Sequence, residues 1–101
     1  PGIDAIYVGP ADLSVSLGLP PGNNDGVAVF DDALAQIVAA ADAADVVPGI
    51  HASPTLTASR QRQGFRMVTV TTDRVALAGA LGEHLAVARG GPAGTDVDAG
   101  Y

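Results

Sequence analysis

The chain has 101 residues and a formal net charge of −6, with 5 basic against 11 acidic side chains. So few positive charges exclude a basic surface, and neither nucleic acid nor an anionic membrane is an expected partner. Cysteine is absent, which excludes disulfides, thiolate catalysis and cysteine-bound metals. No apolar run approaches the roughly 20 residues of a membrane span, and no signal-peptide pattern is present. We therefore expect a cytoplasmic protein.

The first predicted element is a strand at residues 3–8 (IDAIYV), because this short apolar run is rich in β-branched and aromatic side chains. Gly9 and Pro10 end the strand in a turn. A short helix is expected at residues 11–17. The composition of residues 18–26 (GLPPGNNDG) is typical of a loop.

A long helix is predicted at residues 28–44 from apolar side chains at helical spacing. These are Phe30, Leu34, Ile37, Val38 and Ala41. Asp31 and Asp32 fall in the first turn, where the helix dipole favours acidic side chains, so we interpret them as a solvated helix start and not as an acid/base dyad. Asp45 follows the helix and is expected to tolerate a left-handed turn. A second strand is expected at residues 46–50.

A third helix is predicted from Ser53, a good N-cap, and Pro54 at the first helical position through Gln63. Gly64 suits the left-handed position that ends such a helix. Its sequence (TLTASRQRQ) is mostly polar, so we expect an exposed outer helix.

A third strand is predicted at residues 67–70 (MVTV), followed by a helix that Thr72 or Asp73 caps. Three leucines at a spacing of four form one stripe on this last helix: Leu77, Leu81 and Leu85. Residues 90–101 (GGPAGTDVDAGY) are expected to be a disordered tail.

The order of these elements is β-α-β-α-β-α, which indicates an α/β protein with a parallel sheet and right-handed crossovers. Such units occur both in doubly wound sheets and in (β/α)₈ barrels, and periodicity leaves both open. A complete barrel takes about 250 residues, so this chain is well under half of one.

Residues 2–14 (GIDAIYVGPADLS), with Gly18, closely resemble a strand-and-loop signature of the HpcH/HpaI aldolase family, VDxxFxGPxDLSxxxG. Residues 48–50 (PGI) resemble the family's seventh strand. Residues 64–70 (GFRMVTV), with Asp73 downstream, resemble its eighth. The resemblance implies a TIM barrel, of which residues 1–89 are the C-terminal three β/α units. We therefore expect the chain to be the C-terminal fragment of a longer enzyme.

The resemblance also implies an activity. Members of this family are class II aldolases, carbon–carbon lyases that reversibly cleave a 4-hydroxy-2-oxo acid to pyruvate and an aldehyde with Mg²⁺, Mn²⁺ or Co²⁺. Lysine is absent from the chain, so these residues supply no amine for a Schiff base. The expected partners are a small 2-oxo acid substrate and, in the full-length protein, further copies of the same chain.

Two other readings of the sequence remain open. One is a citrate-lyase or malyl-CoA-lyase type enzyme of the same superfamily, acting on a CoA thioester. The other is a truncated βα module without catalytic activity.

Asp12 matches the metal-binding aspartate of the family, and a hard divalent cation prefers carboxylate oxygen. The backbone N–H groups of Ala11 and Asp12 match those that hold the pyruvate carboxylate, as the start of a helix suits an anion. The alternatives are that Asp12 only caps the short helix or sits in its first turn, and that these N–H groups bind only water. Gly9 and Pro10 are expected to shape the turn.

No catalytic residue is expected in this chain. The family's catalytic histidine with its aspartate partner, its substrate-binding arginine and its metal-binding glutamate come from earlier strands. His51 follows the second predicted strand and is interpreted as lining a pocket, and His84 as a surface residue. Ser14 and Ser16 have no base nearby in the sequence, so a nucleophilic serine is not expected.

Overall fold

The computed structural model describes residues 2–91 of the chain. Two compact units make up the molecule, Pro1–Val70 and Thr71–Tyr101. The elements of the first unit are β1 (Ala5–Val8), α1 (Pro10–Ser16), α2 (Ala28–Ala43), β2 (Val47–Ile50), α3 (Thr57–Arg62) and β3 (Met67–Val68). The second unit contains α4 (Asp73–Ala88).

The three strands form one sheet in the order β1-β2-β3, and both pairings are parallel. The predicted α/β organisation with parallel strands is therefore confirmed. Val8, Ile50 and Val68 lie side by side in this register. Because successive side chains of a strand alternate between faces, these three share one face of the sheet.

The core lies on that face, between the sheet and α2. Val8 and Ile50 pack with three side chains of α2 and with Phe65, while Val68 is partly buried against the same cluster. The α2 members are Phe30, Leu34 and Val38, as the helical spacing predicted. Burying each of these side chains contributes about 1.5–3 kcal/mol to folding, so α2 is held to the sheet mainly by its apolar stripe.

Two turns have the left-handed backbone that the sequence predicted. Asp45 has a φ of 55° after α2, and Gly64 has a φ of 105° after α3. A Cβ at Gly64 would also lie 2.8 Å from Cγ1 of Val38. Glycine is therefore required at position 64 both by the backbone angle and by the close approach of α2.

The start of α3 differs from its prediction. Ser53 does not cap the helix, because residues 54–56 form a turn first and the N-cap is Leu56. The carbonyl of Ser53 accepts the N–H groups of Leu56 and Thr57 at 3.0 and 3.1 Å. All three strands are also shorter than predicted: β1 begins at Ala5, β2 begins at Val47, and β3 ends at Val68.

The prediction that α3 is an exposed polar helix holds for its other residues, which are exposed or half-buried, but fails at Arg60, which is completely buried. Its Nη1 donates to Asp25 Oδ1 at 2.8 Å and to Gln63 Oε1 at 3.0 Å, and its Nη2 donates to Asn23 Oδ1 at 3.0 Å. The side chain of Asp25 is 31% exposed. The guanidinium thus binds the α1–α2 loop to α3.

The second unit begins with the predicted cap. Thr72 Oγ1 accepts the N–H of Val75 at 3.3 Å. Leu77, Leu81 and Leu85 are all exposed. Most of the predicted disordered tail, from residue 92 on, lies outside the described residues. Within residues 2–91, no helix is both long and apolar enough to cross a membrane.

Candidate functional site

The turn between β1 and α1 leaves backbone donors free at the end of a strand. Gly9 is the N-cap in extended conformation, and Pro10 is the first helical residue. The first N–H to bond back into the turn is that of Leu13, which donates to the carbonyl of Gly9 at 2.9 Å. No side chain caps the helix. The N–H groups of Ala11 and Asp12 are therefore among the unpaired donors with which helices begin.

The carboxylate of Asp12 lies over Gly9. Its Oδ2 is 2.9 Å from the position that a Cβ on Gly9 would occupy. Asp12 is exposed, and its carboxylate accepts no helix-capping hydrogen bond. Asp12 thus lies in the first turn of α1 without capping it, and its carboxylate is exposed at the end of β1.

Ser14 has a structural role in the next turn of α1. It is fully buried, donates through Oγ to the carbonyl of Gly22 at 2.9 Å and accepts from Asn24 Nδ2 at 2.8 Å. Ser16 Oγ donates to the carbonyl of Leu13 at 2.7 Å. Among the described residues neither hydroxyl contacts an imidazole or a carboxylate.

A polar cluster that the sequence did not reveal lies at the carboxyl ends of the strands. Tyr7 Oη is 3.1 Å from His51 Nδ1 and 3.4 Å from Thr69 Oγ1. Thr69 Oγ1 is 3.2 Å from the same imidazole nitrogen and accepts the N–H of Ala52 at 3.0 Å. The structure thus joins Tyr7, His51 and Thr69, one residue from each strand or its end, in one hydrogen-bonded group.

Asp12 and this cluster occupy the same face and the same end of the sheet. Tyr7 alternates with Val8, so its side chain is on the face opposite the core. Gly9 has the same parity as Tyr7, and the carboxylate of Asp12 lies where a side chain of Gly9 would project. His51 is next to Gly9, because its N–H bonds to the carbonyl of Val8 at 3.0 Å. The carboxylate and the imidazole therefore stand at neighbouring strand ends.

The remaining acidic residues form no second site in the described chain. Asp31 lies in the first turn of α2, as predicted, and accepts the N–H of Gly26 on both carboxylate oxygens, at 3.2 and 3.1 Å. Nowhere in residues 2–91 do three histidine, aspartate or glutamate side chains come together. A divalent cation at Asp12 therefore has one carboxylate from this segment and needs other ligands.

No family model matches the chain, but individual proteins do. The chain is 40% identical over 74 residues to a hydroxypyruvate/pyruvate aldolase of Paraburkholderia phytofirmans. This match covers 72% of the chain and 28% of that protein. The chain is 31% identical to a 2-keto-3-deoxy-L-rhamnonate aldolase of Escherichia coli, over 99% of this chain and 37% of that protein.

A solved structure agrees with these sequence relatives. The crystal structure of an HpcH/HpaI aldolase/citrate lyase family protein from Burkholderia cenocepacia J2315 superposes with a TM-score of 0.74 at 38% identity. The match covers 88% of this chain and 34% of that protein. The chain thus spans between about a quarter and two fifths of the relatives that it matches.

Proposed function

Because this chain belongs to the HpcH/HpaI aldolase family, we propose that the protein containing it is a carbon–carbon lyase. The proposed reaction is the reversible aldol cleavage of a 4-hydroxy-2-oxo acid to pyruvate and an aldehyde. Both sequence relatives are named as aldolases, one of hydroxypyruvate and pyruvate and one of 2-keto-3-deoxy-L-rhamnonate. The carboxylate of Asp12, held over the end of β1 beside free backbone donors, carries the proposal.

We propose that the sheet is part of a (β/α)₈ barrel. Three parallel strands in sequential order with helices between them suit consecutive barrel units. The face of Tyr7 and Met67, both more than two fifths exposed, then points into the barrel. Active sites of such barrels lie at the carboxyl ends of the strands, which is where Asp12 and the Tyr7–His51–Thr69 group lie.

Each group at the β1–α1 turn has a role in this reaction. The N–H groups of Ala11 and Asp12 bind the carboxylate of the 2-oxo acid, since a helix start favours an anion. Cleavage breaks the bond between C3 and C4 and leaves its electron pair on the pyruvate part as an enolate, which then takes up a proton at C3. The C4 hydroxyl loses its proton to a base from the rest of the protein, and C4 becomes the aldehyde carbon.

Asp12 is proposed to bind a divalent cation, Mg²⁺, Mn²⁺ or Co²⁺. The fit is partial in this chain, because Asp12 supplies one oxygen ligand of the kind such ions prefer and the remaining ligands must come from other parts of the protein. A bound cation of this kind stabilises negative charge on the pyruvate oxygen.

Removal of metal tests the proposal directly. In the full-length protein, pyruvate release from a 4-hydroxy-2-oxo acid, followed with coupled lactate dehydrogenase, should disappear with EDTA and return with Mn²⁺ or Mg²⁺. The expected loss is to the level of the reaction without enzyme. Turnover that persists at full rate in excess chelator contradicts the metal-dependent mechanism.

The alternative is a citrate-lyase or malyl-CoA-lyase type activity. One observation supports this alternative: the related crystal structure is of an aldolase/citrate lyase family protein. The same assay separates the two functions, because that alternative acts on a CoA thioester and predicts no pyruvate release from the free 2-oxo acid.

Replacement of Gly9 by Ala tests whether the position of the Asp12 carboxylate matters. The backbone at Gly9 is extended, with φ of −93° and ψ of 108°, so alanine fits without strain. Its Cβ would stand 2.9 Å from Asp12 Oδ2, and the flexible carboxylate must move. We expect the metal affinity to fall by roughly 10-fold, while the melting temperature of the metal-free protein is unchanged.

The matched control is Gly82→Ala in α4, where an added Cβ meets nothing within 4 Å. We expect this change to leave metal affinity as it is and to raise helix stability by roughly 1 kcal/mol. Equal metal affinity in the Gly9→Ala variant and the unmodified protein would contradict the proposed role of the carboxylate.

A further inference from the structure

We propose that His51 determines which aldehyde the enzyme accepts, by donating a hydrogen bond from Nε2 to a hydroxyl oxygen on the aldehyde-derived part of the substrate. This inference rests on the proposed aldolase function. It is carried by the hydrogen-bonded group of Tyr7, His51 and Thr69 at the carboxyl ends of the three strands.

The hydrogen bonds of Thr69 indicate which imidazole nitrogen carries the proton. Its Oγ1 accepts the N–H of Ala52 at 3.0 Å and the hydroxyl of Tyr7 at 3.4 Å. His51 Nδ1 is 3.2 Å from Thr69 Oγ1 and 3.1 Å from Tyr7 Oη, so either hydroxyl can donate its proton to this nitrogen. In the arrangement that satisfies both hydroxyl protons, Nδ1 is an acceptor, so neutral His51 carries its proton on Nε2.

The same contacts fix the orientation of the ring. Two hydroxyls from neighbouring strands contact Nδ1, and Nε2 is on the opposite side of the imidazole, with no hydrogen-bond partner in the described chain. His51 is exposed, and the sheet face that carries it also carries the carboxylate of Asp12. The histidine is therefore a pre-oriented donor beside the place where the 2-oxo acid is proposed to bind.

The location of His51 suits contact with the aldehyde-derived part of the substrate better than contact with the pyruvate part. The pyruvate carboxylate is assigned to the start of α1, and the Asp12 carboxylate lies over Gly9. His51 directly follows β2, the strand next to β1, so the part of the substrate beyond the pyruvate carboxylate is placed against it. A donor enclosed without a partner is unfavourable, and a site built to bind a hydroxyl discriminates against substrates that lack it. A hydroxylated aldehyde satisfies Nε2, and an alkyl aldehyde leaves it unpaired.

The experiment compares two aldehydes that differ by one hydroxyl, glycolaldehyde and acetaldehyde, in aldol addition to pyruvate by the full-length protein. The measured quantity is the ratio of kcat/KM for glycolaldehyde to that for acetaldehyde. We expect the unmodified protein to prefer glycolaldehyde. His51→Asn should lower the ratio by roughly 10-fold, because its shorter amide does not reach the position of Nε2, whereas His51→Gln, which places an NH₂ there, should retain part of the preference.

Two further variants separate donation from general structural effects. Tyr7→Phe removes one of the hydroxyls that orient the ring and is expected to lower the ratio by roughly 3-fold. The chain has a second histidine, His84, which is exposed on α4. His84→Asn makes the same chemical change away from the strand ends, and we expect no change in the ratio.

Exchange of the pyruvate methyl protons with deuterated water, followed by NMR without any aldehyde, distinguishes failure of this inference from failure of the proposed function. Exchange needs only enolate formation. If the unmodified protein does not exchange these protons in the presence of Mn²⁺, the aldolase proposal itself is wrong. If it exchanges them and the His51→Asn ratio equals that of the unmodified protein, the inference about His51 is overturned. A folded His51→Asn variant that no longer exchanges places His51 at pyruvate and likewise overturns it.

Discussion

Replacing Asp12 by Asn is expected to lower kcat/KM for pyruvate formation by at least roughly 100-fold in the full-length protein. The loss of an outer partner of a metal ligand alone costs about 10–100-fold in metal affinity, and Asp12 is proposed to be a ligand. The amide oxygen of Asn has no negative charge and binds a hard cation more weakly. Metal affinity and kcat/KM should therefore fall together.

Loss of a helix cap does not complicate this experiment, because the side chain of Asp12 does not cap α1. Its carboxylate accepts no capping hydrogen bond, and the N-cap of α1 is Gly9. Asn is nearly the same size, so the melting temperature of the metal-free protein should move little. The control is Asp32→Asn, an exposed carboxylate on α2, which should alter neither property. Unmodified turnover by the Asp12→Asn variant at limiting metal contradicts the ligand role.

The elements of the first unit were predictable because the signals for them are local. The spacing of Phe30, Leu34 and Val38 fixes the inner face of α2, and all three are buried. Asp45 and Gly64 mark the turns by their tolerance of positive φ. The parallel order then follows from the alternation of strands and helices.

The two polar groups were not predictable, because each depends on distant pairing. The proximity of Tyr7, His51 and Thr69 can be inferred only from the register of three strands. In the sequence, each residue is an ordinary part of its strand or loop. The burial of Arg60 was still harder to predict. Its partner Asp25 is 35 positions earlier, in a segment whose composition indicated only a loop. A polar helix sequence has no local feature that distinguishes one buried arginine from exposed ones.

That buried arginine leads to the second large effect, on stability. Asp25→Ala in the full-length protein is expected to lower the free energy of unfolding by roughly 3 kcal/mol, since it leaves a buried guanidinium without its counter-ion. Arg60 is completely buried, and its Nε has no hydrogen-bond partner within residues 2–91, so the guanidinium depends strongly on its remaining partners. Urea unfolding measures the change. Asp42→Ala, at an exposed position of α2, is the matched control and should stay within about 0.5 kcal/mol.

Arg60→Met shows whether the cost comes from the uncompensated charge or from the loss of a contact. Met removes the charge and keeps an unbranched apolar stem, and Asp25, whose side chain is 31% exposed, is free to bind water. We therefore expect Arg60→Met to cost less than Asp25→Ala, because the charge that it leaves unpaired is the partly exposed one of Asp25 and not a buried one. The double variant should be more stable than Asp25→Ala alone, since the charge that Asp25 neutralised is gone. If the two losses simply add in the double variant, the two side chains are not coupled, and the ion pair does not hold the α1–α2 loop to α3.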